Sequence, residues 1–478
     1  MISFLLSLVA LIAGYFIYGA IVEKLFGIDE TRKTPALTMT DGVDYVPLGW
    51  KRILMIQILN IAGLGPIFGA IMGALYGPAA FLWIVFGTIF AGAVHDFFSG
   101  MLSVRHEGKS IPEIVGIYLG DSMRNFMRIF SVILLVLVGT VFIAGPAGLL
   151  ANLGMSGIFA NKWFWLAVII VYYFLATILP IDKIIGRFYP IFGIVLLIMA
   201  VGIGGAILFY QSPIPEITLT NMHPKGLPLW PMLFITIACG AISGFHSTQS
   251  PIMSRCIESE KYGRRVFYGA MVAEGIIALV WAAAAMTFFN GIGGLAAVLG
   301  KGGAGLVVHD ISIGLLGTVG GILAILGAIA CPITSGDTAF RSARLTIADS
   351  FNYDQTKIKN RLLIALPLFA IGLGLNFMDF SIVWRYFAWS NQTLATIVLW
   401  GAAAYMVKHN KFHWIATIPA TFMTAVCTTY ILIAPEGFKL STAIAYPAGI
   451  IVAVAILAWF ITHSIVKSKE ELIPVSGK

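Results

Sequence analysis

The stretch Asn60-Ile-Ala-Gly-Leu-Gly-Pro-Ile-Phe-Gly69 decides how this chain folds, because Gly63, Gly65 and Pro66 fall within one turn of an otherwise apolar run long enough to cross a bilayer. Glycine and proline both interrupt a helix there, the first by its backbone freedom and the second by its missing N–H. Hydrocarbon cannot satisfy the backbone groups that such a break releases, so the broken stretch must line a cavity enclosed by protein. A second interruption, Gly240-Ala-Ile-Ser-Gly-Phe-His-Ser-Thr-Gln-Ser-Pro251, lies five crossings further along.

Composition supports the membrane reading. Hydrophobic residues make up 59% of the chain and charged residues 11%, with a mean hydropathy of +0.92. Soluble domains carry about 25% charged residues. Runs of roughly 17–25 apolar residues, enough to cross about 30 Å of hydrocarbon, fall at 2–23, 53–75, 79–104, 127–151, 162–180, 187–210 and 229–250. Six more fall at 266–289, 315–339, 362–377, 381–406, 412–434 and 441–465, so about thirteen transmembrane helices are expected. The first run lacks a basic leader and a small-residue cleavage site, and is read as a retained helix.

Basic residues test that count, because cytoplasmic loops collect Lys and Arg. Of the 30 basic residues, 25 fall in one alternate set of gaps and four in the other, with Arg385 inside a span. The N-terminus is therefore expected outside and the C-terminus in the cytoplasm of a multi-pass plasma-membrane protein. The net charge of +8 is a topological signal and gives no basic face for nucleic acid. Cys239, Cys256, Cys331 and Cys427 lie in or beside spans without CxxC spacing, so neither a disulfide framework nor a metal site is expected.

Six segments follow: an extra N-terminal helix at 1–26, a cytoplasmic segment at 27–52, five helices at 53–210, five more at 229–406, two peripheral helices at 412–465 and a tail at 466–478. An odd number of crossings per set inverts the second relative to the first. Two inverted five-helix sets, each opening with a broken helix, describe a leucine-transporter-type all-α core. In such cores the Gly-rich stretch 290–314 is an outer hairpin.

The breaks supply the candidate binding residues: Asn60, Gly63, Gly65 and Pro66 in the first, and Ser243, Gly244, Phe245 and His246 in the second. Half-helix N-termini suit a carboxylate and unwound carbonyls suit a cation. Asn391 and Gln392, deep in the last core span, would reach the same cavity. Thr334, Ser335, Asp337 and Thr338, near the inner end of their span, offer oxygen ligands for Na⁺ or a protonatable acid for H⁺ coupling; the competing reading pairs Asp337 with Arg341 four residues on. His95, Asp96, Glu274 and Arg385 are the remaining intramembrane ionisable groups, read as a gate or interhelical network. The chain carries no phosphate-binding Gly-x-x-x-x-Gly-Lys loop, no His-Glu-x-x-His and no Gly-x-Ser-x-Gly, so neither ATP-driven transport nor an enzyme is expected.

Thr34-Pro-Ala, Asp41-Gly-Val-Asp-Tyr-Val-Pro47, Ile61-Ala-Gly-Leu-Gly-Pro66, Ala91-Gly-Ala-Val-His-Asp96, Ser243-Gly-Phe-His246 and Ser390-Asn-Gln392 together resemble the carbon starvation protein A family. Six motifs in order carry the resemblance, which departs at His95, where the family motif has Gln. It implies uptake across a bacterial inner membrane of a small nutrient, a peptide or pyruvate, by a secondary transporter coupled to an ion or a proton. A small molecule and the bilayer are then the expected partners, with no cofactor beyond a coupling Na⁺ or H⁺. A membrane nutrient sensor is the alternative of another class; it would be expected to carry a signalling domain.

Overall fold

The computed structural model describes residues 1–42, 44–153, 156–178, 181–210, 213–351, 353–355 and 357–466, so the expected tail falls outside it from 467 on. Of the described residues 80% are helical. Among the described residues the β-type pairing is an isolated parallel bridge between Leu48 and Ile257.

Helix α1 spans Ile2–Phe26, followed by α2 (Trp50–Ile61) and α3 (Gly65–Tyr76), which meet at a 56° bend. Then come α4 (Ala79–Arg105), α5 (Ile111–Leu119), α6 (Asp121–Ala151), α7 (Lys162–Ile178) and α8 (Ile181–Phe209). The second set opens with the short α9 (Leu229–Thr236) and α10 (Gly244–Ser254), continues through α11 (Glu260–Phe288), α12 (Ile292–Ser350) and α13 (Ile358–Leu375), and ends at α14 (Phe380–Lys408). Helices α15 (Trp414–Ile433) and α16 (Thr442–His463) close the chain.

Among the described residues nine of these are single helices long and apolar enough to cross a membrane, and the bent pair α2–α3 makes ten. The other three expected crossings differ for identifiable reasons. Helix α7 has 17 residues, α9 and α10 are the two pieces of the second break, and α14 is long enough but carries Arg385 and the polar run Ser390–Thr393.

Helix α12 is interrupted by Gly303 and Gly317, both at φ +67. Glycine adopts this conformation without strain. The two interruptions cut the segment into an outer pair of short rods followed by a long inner helix, where the sequence predicted a hairpin.

Burial separates inner from outer helices. The apolar windows of α4 and α11 are 83% and 78% buried, against 22% for α13 and α16 and 28% for α1. The outer helices turn Ile, Leu and Phe outward, as a surface solvated by acyl chains requires. At the centre, α10 packs against α4, α14 and α2, while α11 packs against both halves of the bent pair.

The polar segment before α2 is held against the basic-loop end of the bundle. Leu48 N–H donates to Cys256 O at 3.0 Å, and Tyr45 Oη donates to Glu107 O at 2.9 Å. Asp29 N–H donates to the fully buried Glu260, whose carboxylate also takes Arg105 Nε and Nη2 at 3.0 and 2.8 Å.

Candidate functional site

The second break runs from Ile237 to Ser243, between the end of α9 and the start of α10. Its released backbone groups find partners on two neighbouring helices. Asn391 Oδ1 accepts the backbone N–H of Phe245 at 2.7 Å, in the first turn of α10, and Asn391 Nδ2 donates to Ser243 Oγ at 3.0 Å. Next to it, Gln392 Nε2 donates to Phe234 O at 2.5 Å at the end of α9. From α4, Trp83 Nε1 reaches Ile237 O at 3.0 Å and Thr88 Oγ1 reaches Gly240 O at 3.1 Å. Asn391 and Gln392, predicted to contact substrate, thus cap the two ends of the break. In hydrocarbon each cap replaces water that the backbone cannot reach.

The first break is satisfied from α12. Ser335 Oγ donates to Leu59 O at 2.9 Å, and Cys331 Sγ donates to Ala62 O. Gly63 and Gly65 are required by close approach: a Cβ would lie 2.2 Å from the Phe142 ring at Gly63 and 2.1 Å from Cys239 Cβ at Gly65. Phe142 also meets Phe245 edge-on at 5.8 Å. One aromatic ring from α6 therefore wedges between the two breaks.

Beside them lies a cluster of four ionisable side chains with no solvent exposure: His95, Asp96, His246 and Glu274. Asp96 Oδ1 is 2.7 Å from His95 Nδ1, and Asp96 Oδ2 is 2.8 Å from His246 Nδ1. A carboxylate can only accept, so both imidazoles present Nδ1–H to it. That tautomer turns His246 Nε2 toward Glu274 Oε2, 3.2 Å away and off the angle of a hydrogen bond. Two bare acceptors at this separation repel. A proton on either His246 or Glu274 turns the repulsion into attraction, so the geometry is that of a proton-holding site.

The structure joins three of the four network candidates and leaves out Arg385. One turn into α14, Arg385 Nε reaches Glu436 Oε2 at 3.1 Å, in the loop after α15, because its long side chain extends to a buried carboxylate at that end of the bundle. Of the coupling candidates on α12, Ser335 reaches the first break and the other three have partners within the helix. Thr334 Oγ1 donates to Cys331 O at 2.8 Å, Thr338 Oγ1 to Ser335 O at 2.9 Å, and Asp337 lies 3.6 Å from Arg341 in an i,i+4 pair.

Sequence reading missed Trp83, Thr88, Cys331 and Gln57. Gln57, three residues before Asn60, was legible as a second polar side chain on one face of an apolar helix; the other three are ordinary core residue types whose role depends on what packs beside them. Among the described residues no three His, Cys, Asp or Glu side chains converge to hold a metal. In the four-residue cluster both imidazoles point at one carboxylate instead of at a common centre.

The sequence matches the family profile of the carbon starvation protein CstA over residues 1–160 and 149–292. A membrane protein of Haemophilus influenzae is 45% identical over 61% of this chain and 92% of its own length. The peptide transporter CstA of Campylobacter jejuni is 25% identical over 91% of this chain and 81% of its own. The pyruvate/proton symporter BtsT of Escherichia coli is 28% identical over 57% of this chain and 47% of its own. Among solved structures, a manganese transporter of Eremococcus coleocola matches with a TM-score of 0.56 and 14% identity, over 91% of this chain and 99% of that one. MhsT bound to L-phenylalanine matches with 0.55 and 13%, over 89% and 98%. At such identities the likeness shows the fold, which is of the leucine-transporter type.

Proposed function

The chain belongs to the carbon starvation protein CstA family, and from that premise we propose that it is a secondary active importer of a small nutrient, a peptide or a small carboxylate, driven by a proton held at the Asp96–His246–Glu274 cluster. The observation that carries this reading is the 3.2 Å approach of His246 Nε2 to Glu274 Oε2 in a site without solvent exposure. Ionisable groups inside a membrane are costly and mark ion or substrate paths.

The cluster adjoins both discontinuous helices, so a change in its protonation acts where substrate is expected to sit. With the proton in place, α10 is tied to α4 through Asp96 and drawn toward α11 through Glu274. Its loss leaves Glu274 and His246 repelling each other, which favours a rearrangement of α10 against α11. Alternating access follows if one arrangement opens the breaks outward and the other inward. The membrane orientation that suits import is the one the basic loops indicate, with the N-terminus outside the bacterial inner membrane.

The test is uptake of labelled dialanine and of labelled pyruvate into proteoliposomes, each under an imposed proton gradient and, separately, an Na⁺ gradient. The proposal expects accumulation under the proton gradient alone. Accumulation under Na⁺ alone would reject the proton site, and binding without flux would favour a sensor.

A further inference from the structure

Two buried amides stand apart from the polar groups assigned so far. Gln57 and Asn60 lie one helical turn apart on one face of α2, in the last turns before the first break, and neither has any solvent exposure. Gln57 Nε2 and Oε1 and Asn60 Nδ2 and Oδ1 all lack a hydrogen-bond partner among the described residues. At the second break both atoms of the Asn391 amide and the nitrogen of Gln392 are matched to partners, with Gln392 Oε1 left over, whereas at the first break both amides are wholly unmatched among the described residues. The contrast at the first break is between groups used to hold the fold and groups held ready.

We propose that Gln57 and Asn60 form a neutral subsite that reads the amide group of a peptide substrate; this rests on the transport reading and narrows its substrate class. Each carboxamide offers N–H donors and a carbonyl acceptor. Pyruvate carries only acceptors, so it can engage the two NH₂ groups but leaves both carbonyl oxygens unpaired. A peptide group carries one N–H and one C=O and serves both kinds. Sites built to pair a particular donor discriminate strongly against an analogue that lacks it, because the buried partner is then left unsatisfied.

The experiment uses the full chain in lipid nanodiscs and three ligands: dialanine, its ester analogue with oxygen in place of the amide N–H, and pyruvate. Wild type is expected to bind dialanine about tenfold more tightly than the ester, the size of one neutral hydrogen bond. Gln57→Leu and Asn60→Leu are expected to erase that preference by lowering dialanine affinity to that of the ester. Their melting temperatures should equal or exceed that of wild type, since unpaired amides are replaced by apolar groups of similar shape. Equal binding of amide and ester by wild type overturns the subsite even if neither variant folds. Lowered melting temperature with unchanged dialanine binding also overturns it, as amides satisfied by ordered water. A wild type that binds no dipeptide but accumulates pyruvate overturns the subsite and leaves transport standing. One that binds neither overturns the transport reading as well.

Discussion

His246 Nδ1 stands 2.8 Å from Asp96 Oδ2 although the two residues are 150 positions apart in sequence. The contact ties the half-helix after the second break to an unbroken helix, and it leaves the far side of the same imidazole to face Glu274. Whether that arrangement couples a proton to transport can be asked one residue at a time.

Asp96→Asn and His246→Gln keep a hydrogen-bonding group of similar size while removing charge or titration. Proton-driven accumulation is expected to fall by about tenfold or more in either, in keeping with loss of a charge-assisted contact of ~1.5–3 kcal/mol. Counterflow exchange, which needs no gradient, should survive. His246→Ala instead strips a partner from a buried carboxylate and should destabilise the fold by about 3–5 kcal/mol. Undiminished accumulation in Asp96→Asn would remove the cluster from coupling.

Asp337→Asn separates the place where the sequence put coupling from the buried cluster proposed to hold the proton. Asp337 and Arg341 are both almost fully buried, so removing the charge should destabilise the fold by about 3–5 kcal/mol, while accumulation per folded transporter should stay within about twofold of wild type. Loss of gradient-driven uptake here, with uptake intact in Asp96→Asn, would move the coupling site to α12.

Asn391→Ala should weaken the fold more than it weakens ligand binding. It leaves the Phe245 N–H without its 2.7 Å acceptor in a buried site, at a cost of about 1–3 kcal/mol. Unfolding in detergent measures the loss. Asn391→Asp retains the acceptor and should recover part of it; stability unchanged in the alanine variant would show that the cap is dispensable.

His106 gives a pH test at the basic-loop end, just beyond α4. Its Nδ1–H donates to Leu102 O at 2.8 Å, and its Nε2 lies 3.0 Å from Tyr118 Oη, which the neutral ring accepts. Burial pushes its pKa below the ordinary imidazole value. Folding therefore favours the neutral ring: its contribution is complete above ~6.5 and declines as pH falls further. Wild type should melt at a lower temperature near pH ~5.5 than near pH ~7.5, with a smaller difference in His106→Asn. An identical pH difference in the variant would assign the effect elsewhere.

Much of this architecture could be read from the chain. Gly63, Gly65 and Pro66 within one turn of an apolar run announced a break, and α2 and α3 do meet at a bend there. The second break begins earlier than its most polar residues, because Ile237 to Ser243 is the uncoiled part and His246 already lies in the first turn of α10. Apolar residues such as Ile237 and Ala238 give no sign of uncoiling; only the capping side chains of other helices permit it.

The membrane-spanning class, most of the crossings and the pair of discontinuities were legible in the chain. These follow from local composition, since hydrocarbon tolerates a polar group or an interrupted helix only inside protein. What each polar residue touches was not legible in the chain. Asn391 and Gln392 close a break, Arg385 turns to Glu436, and Asp96, His246 and Glu274 meet from three helices. Such partnerships depend on how helices far apart in sequence are rotated against one another, and side-chain spacing within a single helix carries no record of that.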